Sequence, residues 1–126
     1  MSMYEGTKLP NFAPREQPVT SLESTDVEVG AGVEAGSGAT VTVHYTGALV
    51  QNGIIFQSSH DMGQPVTFGL HQVIAGWTEG VPGMKVGGTR RLVIPAAKAY
   101  GDNSPSPNIP AGSDLVFDIE LLDVRS

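Results

Sequence analysis

Short runs of strict alternation between apolar and polar residues dominate this chain. Across residues 39–45, Val41, Val43 and Tyr45 share one side, while Thr40, Thr42 and His44 share the other. A period of two predicts a strand with one buried face. The same pattern predicts strands at 26–29, at 89–94 with Leu92 and Ile94 together, and at 115–124. In the last, Leu115, Phe117, Ile119 and Leu121 oppose Asp118 and Glu120. Residues 47–50 and 54–58 flank Asn52-Gly53, a pair that tolerates positive φ and predicts a hairpin. A further strand is expected at 66–70, and GAGVEAGSG at 30–38 is a turn-rich connector. Residues 1–24, with prolines at 10, 14 and 18 and little periodicity, are expected to form an extended or partly disordered segment ahead of a globular unit at 25–126.

Residues 71–88, HQVIAGWTEGVPGMKVGG, break the alternation. Val73, Trp77 and Val81 are spaced by four, which predicts one stripe of a short helix. Gly76 within it costs about 1 kcal/mol in helix propensity, and Pro82 ends it by forcing the preceding residue out of helical geometry. Such a helix depends on tertiary packing. Short hairpin links favour antiparallel pairing, and a sheet with one polar face needs a single cover. The expected fold is α+β: one antiparallel sheet wrapped partly around one short helix.

Composition narrows the function. The chain has 126 residues, 40% of them apolar, enough for one domain with its own core. Its formal charge is −6 with only seven basic residues, so a phosphate-neutralising surface is not expected, and nucleic acid is not an expected partner. No apolar run reaches the roughly 18 residues that a spanning helix needs. The start, MSMYEGTKLP, lacks a basic stretch followed by an apolar one, so neither a leader nor membrane association is expected. With no cysteine, thiolate metal sites, cysteine nucleophiles and disulfides are excluded, and a cytoplasmic, monomeric protein is the expectation.

Other signals are weak. Histidines 44, 60 and 71 are scattered, and adjacent His60-Asp61 is poor spacing for one metal, so no metal site is expected. GAGVEAG at 30–36 lacks the spacing of a phosphate loop, which leaves a plain turn. No G-x-S-x-G or H-E-x-x-H occurs. Arg90-Arg91 is expected to be solvated or ion-paired on its strand.

The aromatic residues carry more. Tyr45, Phe56, Phe68, Trp77, Tyr100 and Phe117 come from different elements and converge on one small sheet. Trp77, the only tryptophan, could simply plug the core or could floor an apolar pocket. Six aromatics exceed what filling requires, and Tyr45 and Tyr100 could each offer a hydroxyl as a polar handle.

VHYTG at 43–47, IFQSS at 55–59, VIAGWTEGVPGMKVGG at 73–88, AYG at 99–101 and LVFDIELLDV at 115–124 resemble the FKBP-type peptidyl-prolyl cis-trans isomerases. The resemblance runs over about residues 24–126 in unbroken order. It implies a bent antiparallel sheet around a short helix, and catalysis of rotation about the imide bond before proline without a cofactor. It places Trp77 beneath the substrate proline ring, with Tyr45, Phe56, Val73, Ile74 and Phe117 as walls. It gives the Ile74 N–H and the Tyr100 hydroxyl to the substrate backbone, and has Ile109 close one side. It makes the glycines of 71–88 the means by which the backbone passes close to the ligand. The implied partners are proline-containing polypeptides and rapamycin-type macrolides.

This chain also departs from the family pattern. Gln57 stands where many members carry an aspartate, so negative charge is missing there. Pro105 and Asn108 replace a common loop histidine and isoleucine, and Val66 stands where a phenylalanine is frequent. A shallower pocket with a more polar rim is expected. A binding module with little turnover is the alternative function, to be told apart by whether Gln57→Asp raises turnover without tightening peptide binding. A domain whose pocket is filled by its own side chains is the third. Leu9-Pro10 in the N-terminal segment has the chemistry such a pocket accepts, which raises the possibility that the segment competes with substrate.

Overall fold

The computed structural model describes residues 9, 12–15, 17–59, 63–101, 103 and 109–125. Among the described residues six strands and one helix follow in order: β1 (Glu23–Glu28), β2 (Thr40–Leu49), β3 (Ile55–Ser58), β4 (Val66–Gly69), α1 (Ala75–Gly80), β5 (Thr89–Ile94) and β6 (Leu115–Arg125). A 3-10 turn, Ala96–Lys98, lies between β5 and β6. All described pairings are antiparallel, and the sheet runs β1-β5-β6-β2-β3, with β4 also on β2. This is the α+β fold that the alternation predicts.

The two longest strands form the spine. β2 absorbs both runs expected at 39–45 and 47–50, and pairs with β6 along its length, Tyr45 opposite Ile119 and Gly47 opposite Phe117. Their alternation turns Val41, Val43, Tyr45, Leu115, Phe117, Ile119 and Leu121 into the main core beneath α1. β3 and β4 share one edge of β2, β3 at Thr46–Ala48 and β4 at Thr40–Val43.

The two glycines inside the helix have a packing reason. A Cβ on Gly76 would lie 2.5 Å from Cγ2 of Ile94, and one on Gly80 2.7 Å from Cδ2 of Leu92. Both partners are fully buried on β5. The glycines therefore let α1 press onto the sheet, and close approach to a ligand is not what fixes these two. Val73 precedes the helix and Val81 caps its end, so Trp77 alone of the predicted stripe lies within it. Arg90 reaches from β5 to the carbonyls of Gly80 and Pro82 at 2.7 and 3.1 Å, and pairs with Asp26 at 2.7 Å. Arg91 makes a two-pronged pair with Asp118 at 2.6 and 2.7 Å. That hydrogen bonding holds its guanidinium above the usual arginine range.

Four local expectations are corrected. The link after β2 is a four-residue loop, because Leu49 and Ile54 close it at 3.0 Å, and Gly53 takes φ +73° within it. Val50 lies one residue past β2, where its N–H still donates to the Asp114 carbonyl at 3.1 Å in register with β6. The connector 30–36 is no plain turn: Gly32, Glu34 and Ala35 pair with the backbone of 84–86. Val27, on edge strand β1 where the register shifts, is 64% exposed, so its alternation marks a strand without a buried face.

The sheet is also covered on both sides. Ala48, Val50, Ile55, Val93 and Val116 form a second apolar cluster on the face away from α1, closed by Leu9, Phe12 and Val19. The Leu9 N–H donates to the Gly53 carbonyl at 2.8 Å and the Arg15 N–H to that of Val50 at 3.0 Å. The N-terminal segment is thus a strap across the back of the sheet. Leu9 lies there, not in the chain's own aromatic cavity, and Pro10 is outside the described residues.

Candidate functional site

Between α1 and the concave face of the sheet is an open cavity of about 430 Å³. Its position follows from the elements. Tyr45 projects inward from β2, Phe56 and Gln57 come from β3, Phe68 from β4, and Phe117 from β6. The segment 72–74 and α1 supply Gln72, Val73, Ile74 and Trp77 from the opposite side, and Tyr100 follows the 3-10 turn.

All six converging aromatics line this space. Trp77, 4% exposed, is the hub: Tyr45, Phe68 and Phe117 meet it nearly edge to face, with centroids at 5.5, 5.4 and 5.4 Å. Phe56 stacks on Phe117 at 87° and 5.7 Å. Such edge-to-face contacts fix the ring planes, so the walls are set before any ligand arrives. Gly47 makes this possible at the back, since a Cβ there would fall 2.6 Å from Phe56 and 2.8 Å from Phe117.

Polar groups are few. Burial pushes the Tyr45 phenol above the ordinary tyrosine range, and neighbouring Tyr100 acts in the same direction. Tyr45 is therefore a neutral O–H at physiological pH. Tyr100 is 36% exposed and stands at the mouth, and Gln57 is exposed at the rim. Ser59, fully buried behind the wall, accepts the Tyr45 N–H at 2.8 Å and bonds His44 Nδ1 at 2.8 Å, which anchors β2 beside the site. No cluster of three metal-ligating side chains occurs among the described residues. His60, Asp61, Pro105 and Asn108 lie outside them.

Of the nine residues singled out in the sequence, the structure brings eight together: Tyr45, Phe56, Gln57, Val73, Ile74, Trp77, Tyr100 and Phe117. Ile109 is not among the described lining residues; it is buried in the same core cluster as Tyr45, Trp77 and Phe117. Two lining residues were not assigned. Phe68, one of the six converging aromatics, supplies the wall on the β4 side. Gln72 had no signal beyond its place before Val73. A larger cleft, about 520 Å³, lies behind the sheet between the strap and the 3-10 turn, but its walls hold no aromatic ring.

An aromatic-walled cavity between a short helix and an antiparallel sheet is the form of a binding site for a compact apolar group. Comparison with known proteins agrees. Residues 32–122 match the family described as FKBP-type peptidyl-prolyl cis-trans isomerase, and the chain belongs to that family. It is 48% identical over 96 residues to the peptidyl-prolyl cis-trans isomerase FPR2 of Saccharomyces cerevisiae, covering 75% of this chain and 71% of that one. It is 48% identical over 106 residues to an FK506-binding protein of Neisseria meningitidis, covering 82% and 96%. Among solved structures, FkpA from Escherichia coli superposes with a TM-score of 0.75 at 43% identity, over 88% of this chain and 53% of that chain.

Proposed function

We infer that this protein is a peptidyl-prolyl cis-trans isomerase, which accelerates rotation about the imide bond before proline in polypeptides. The observation that carries this reading is the cavity floored by Trp77 and walled by Tyr45, Phe56, Phe68 and Phe117. Its size and apolar rings suit a pyrrolidine ring and the residue before it.

The reaction makes and breaks no covalent bond to the protein. Rotation is slow in water because the C–N bond has partial double-bond character. In the twisted state that resonance is lost and the carbonyl becomes less dipolar. A dry apolar cavity favours this state over the resonant imide. Lowering the barrier by about 4 kcal/mol would give roughly a thousandfold.

Within this reading Trp77 carries the proline ring. The backbone N–H of Ile74, ahead of α1, and the hydroxyl of Tyr100 at the mouth hold the substrate backbone and keep it in register during rotation. Tyr45, kept protonated by burial, is a neutral donor facing the same space. A macrolide of the rapamycin type would occupy the same walls.

A protease-coupled assay on a short Leu-Pro peptide tests the proposal. Turnover that falls sharply in Trp77→Ala and Tyr100→Phe supports it. A rate equal to the spontaneous one, with bound peptide still quenching Trp77 fluorescence, would leave a binding module.

A further inference from the structure

Asp114 sits one residue ahead of β6 and outside the aromatic cavity, yet it joins two segments distant in sequence. Its Oδ2 accepts the N–H of Val19 in the N-terminal strap at 2.8 Å. Its Oδ1 accepts the N–H of Ala96, at the start of the 3-10 turn, also at 2.8 Å. One carboxylate thus takes two backbone donors, a charge-assisted arrangement stronger than neutral pairs.

The chain of bonds continues to the mouth of the site. The Ala96 carbonyl accepts the N–H of Ala99 at 3.0 Å and of Gly101 at 2.8 Å, the residues on either side of Tyr100. Gly101 in turn accepts the Gly112 N–H at 2.8 Å, which returns the path to the segment that carries Asp114. The turn is also held by the Lys98 N–H on the Pro95 carbonyl at 2.8 Å, by the Asn103 N–H on the Tyr100 carbonyl at 3.0 Å and by packing of Ala99 on the main core, but none of these contacts reaches the strap. Lys98 pairs with Glu79, but both are well exposed, where such a pair holds little. The cleft of about 520 Å³ behind the turn leaves it unsupported by packing on that side.

We propose that Asp114 is a positioning residue for Tyr100, and that through it the N-terminal strap is part of the isomerase site. The inference rests on the isomerase reading for its kinetic consequence, but its structural half stands apart from activity. The strap secures Val19, Asp114 ties Val19 to Ala96, and Ala96 fixes the two peptide groups that aim the Tyr100 hydroxyl at the substrate.

The test combines kinetics with amide hydrogen exchange on the full chain. Asp114→Ala is expected to lower kcat/KM about tenfold in the parent, and by less than about twofold in a Tyr100→Phe background. The positioning is worthless once the hydroxyl is gone. In the same variant the amides of Val19, Ala96, Ala99 and Gly101 exchange about tenfold faster, while those of Tyr45 and Ile119 do not change. Asp114→Asn, which keeps the shape and one acceptor, gives the same pattern at smaller size and serves if the alanine variant does not fold. An equal loss in both backgrounds would overturn the positioning role. Unchanged exchange at Ala99 and Gly101 would overturn the coupling. If the parent shows no turnover, the isomerase reading fails, and the exchange pattern alone decides the coupling.

Discussion

Gly76 of the helix rests against Ile94 of β5 so closely that a methyl group on Gly76 would stand 2.5 Å from the Ile94 Cγ2 atom. This contact sets the depth at which Trp77, the next residue, enters the cavity. The helix accepts a poor helix former to get there.

Two effects oppose each other in Gly76→Ala. The helix gains about 1 kcal/mol in propensity, but overpacking a fully buried partner costs about 1–3 kcal/mol. The clash is with side-chain carbons of a fully buried partner, so overpacking outweighs the propensity gain and a net destabilisation of up to about 2 kcal/mol is expected by urea unfolding. Adding Ile94→Val should recover part of it.

The C-terminal end of α1 depends on Arg90, whose guanidinium bonds the Gly80 and Pro82 carbonyls and Asp26. Arg90→Ala should cost about 2–3 kcal/mol, since hydrogen bonds from a charged donor exceed neutral ones and the carbonyls lose their partner. Lysine lacks the planar fork, so Arg90→Lys should restore less than half. Unfolding midpoints check both.

Tyr45 predicts a pH dependence. Its pKa is raised above the model-compound value of 10.0 by burial first and by Tyr100 second. The fold therefore favours the protonated phenol. The contribution to stability is complete below the unfolded pKa and is lost as pH rises from there through the folded value. Unfolding midpoints followed from about pH 9 to about pH 11 should fall more steeply in the parent than in Tyr45→Phe.

Gln57 occupies an exposed place at the rim, one strand from Gly47. A charge there interacts through water, where a pair at about 4 Å is worth only about 1 kcal/mol. Gln57→Asp should therefore change kcat/KM by less than about fivefold in either direction, with peptide affinity unaltered. A larger rise would mean that the site is more enclosed in the bound state.

The sequence was most legible where one face is buried and the other is wet. The alternation of β2 and β6 located the spine, and the scattered aromatics located the cavity, because periodicity records burial directly. It was least legible where both faces are covered. Val93 and Val116 broke no pattern, since a strand buried on both sides leaves no alternation to read, so the strap of Leu9, Phe12 and Val19 went unrecognised. The pairing of 30–36 with 84–86 was hidden among glycines, which carry no side-chain pattern. Val73 fell outside α1 because spacing by four does not reveal where a helix begins.

The central claim is that the Trp77 cavity accelerates rotation about the bond before proline. Exchange NMR on a Leu-Pro peptide, with protein at catalytic concentration and no coupling protease, measures that rotation directly. The account predicts cis-trans exchange on the order of a thousandfold faster at saturation than the spontaneous rate, at least about tenfold less in Trp77→Leu. Exchange at the spontaneous rate, with the protein folded and the peptide bound, would contradict it.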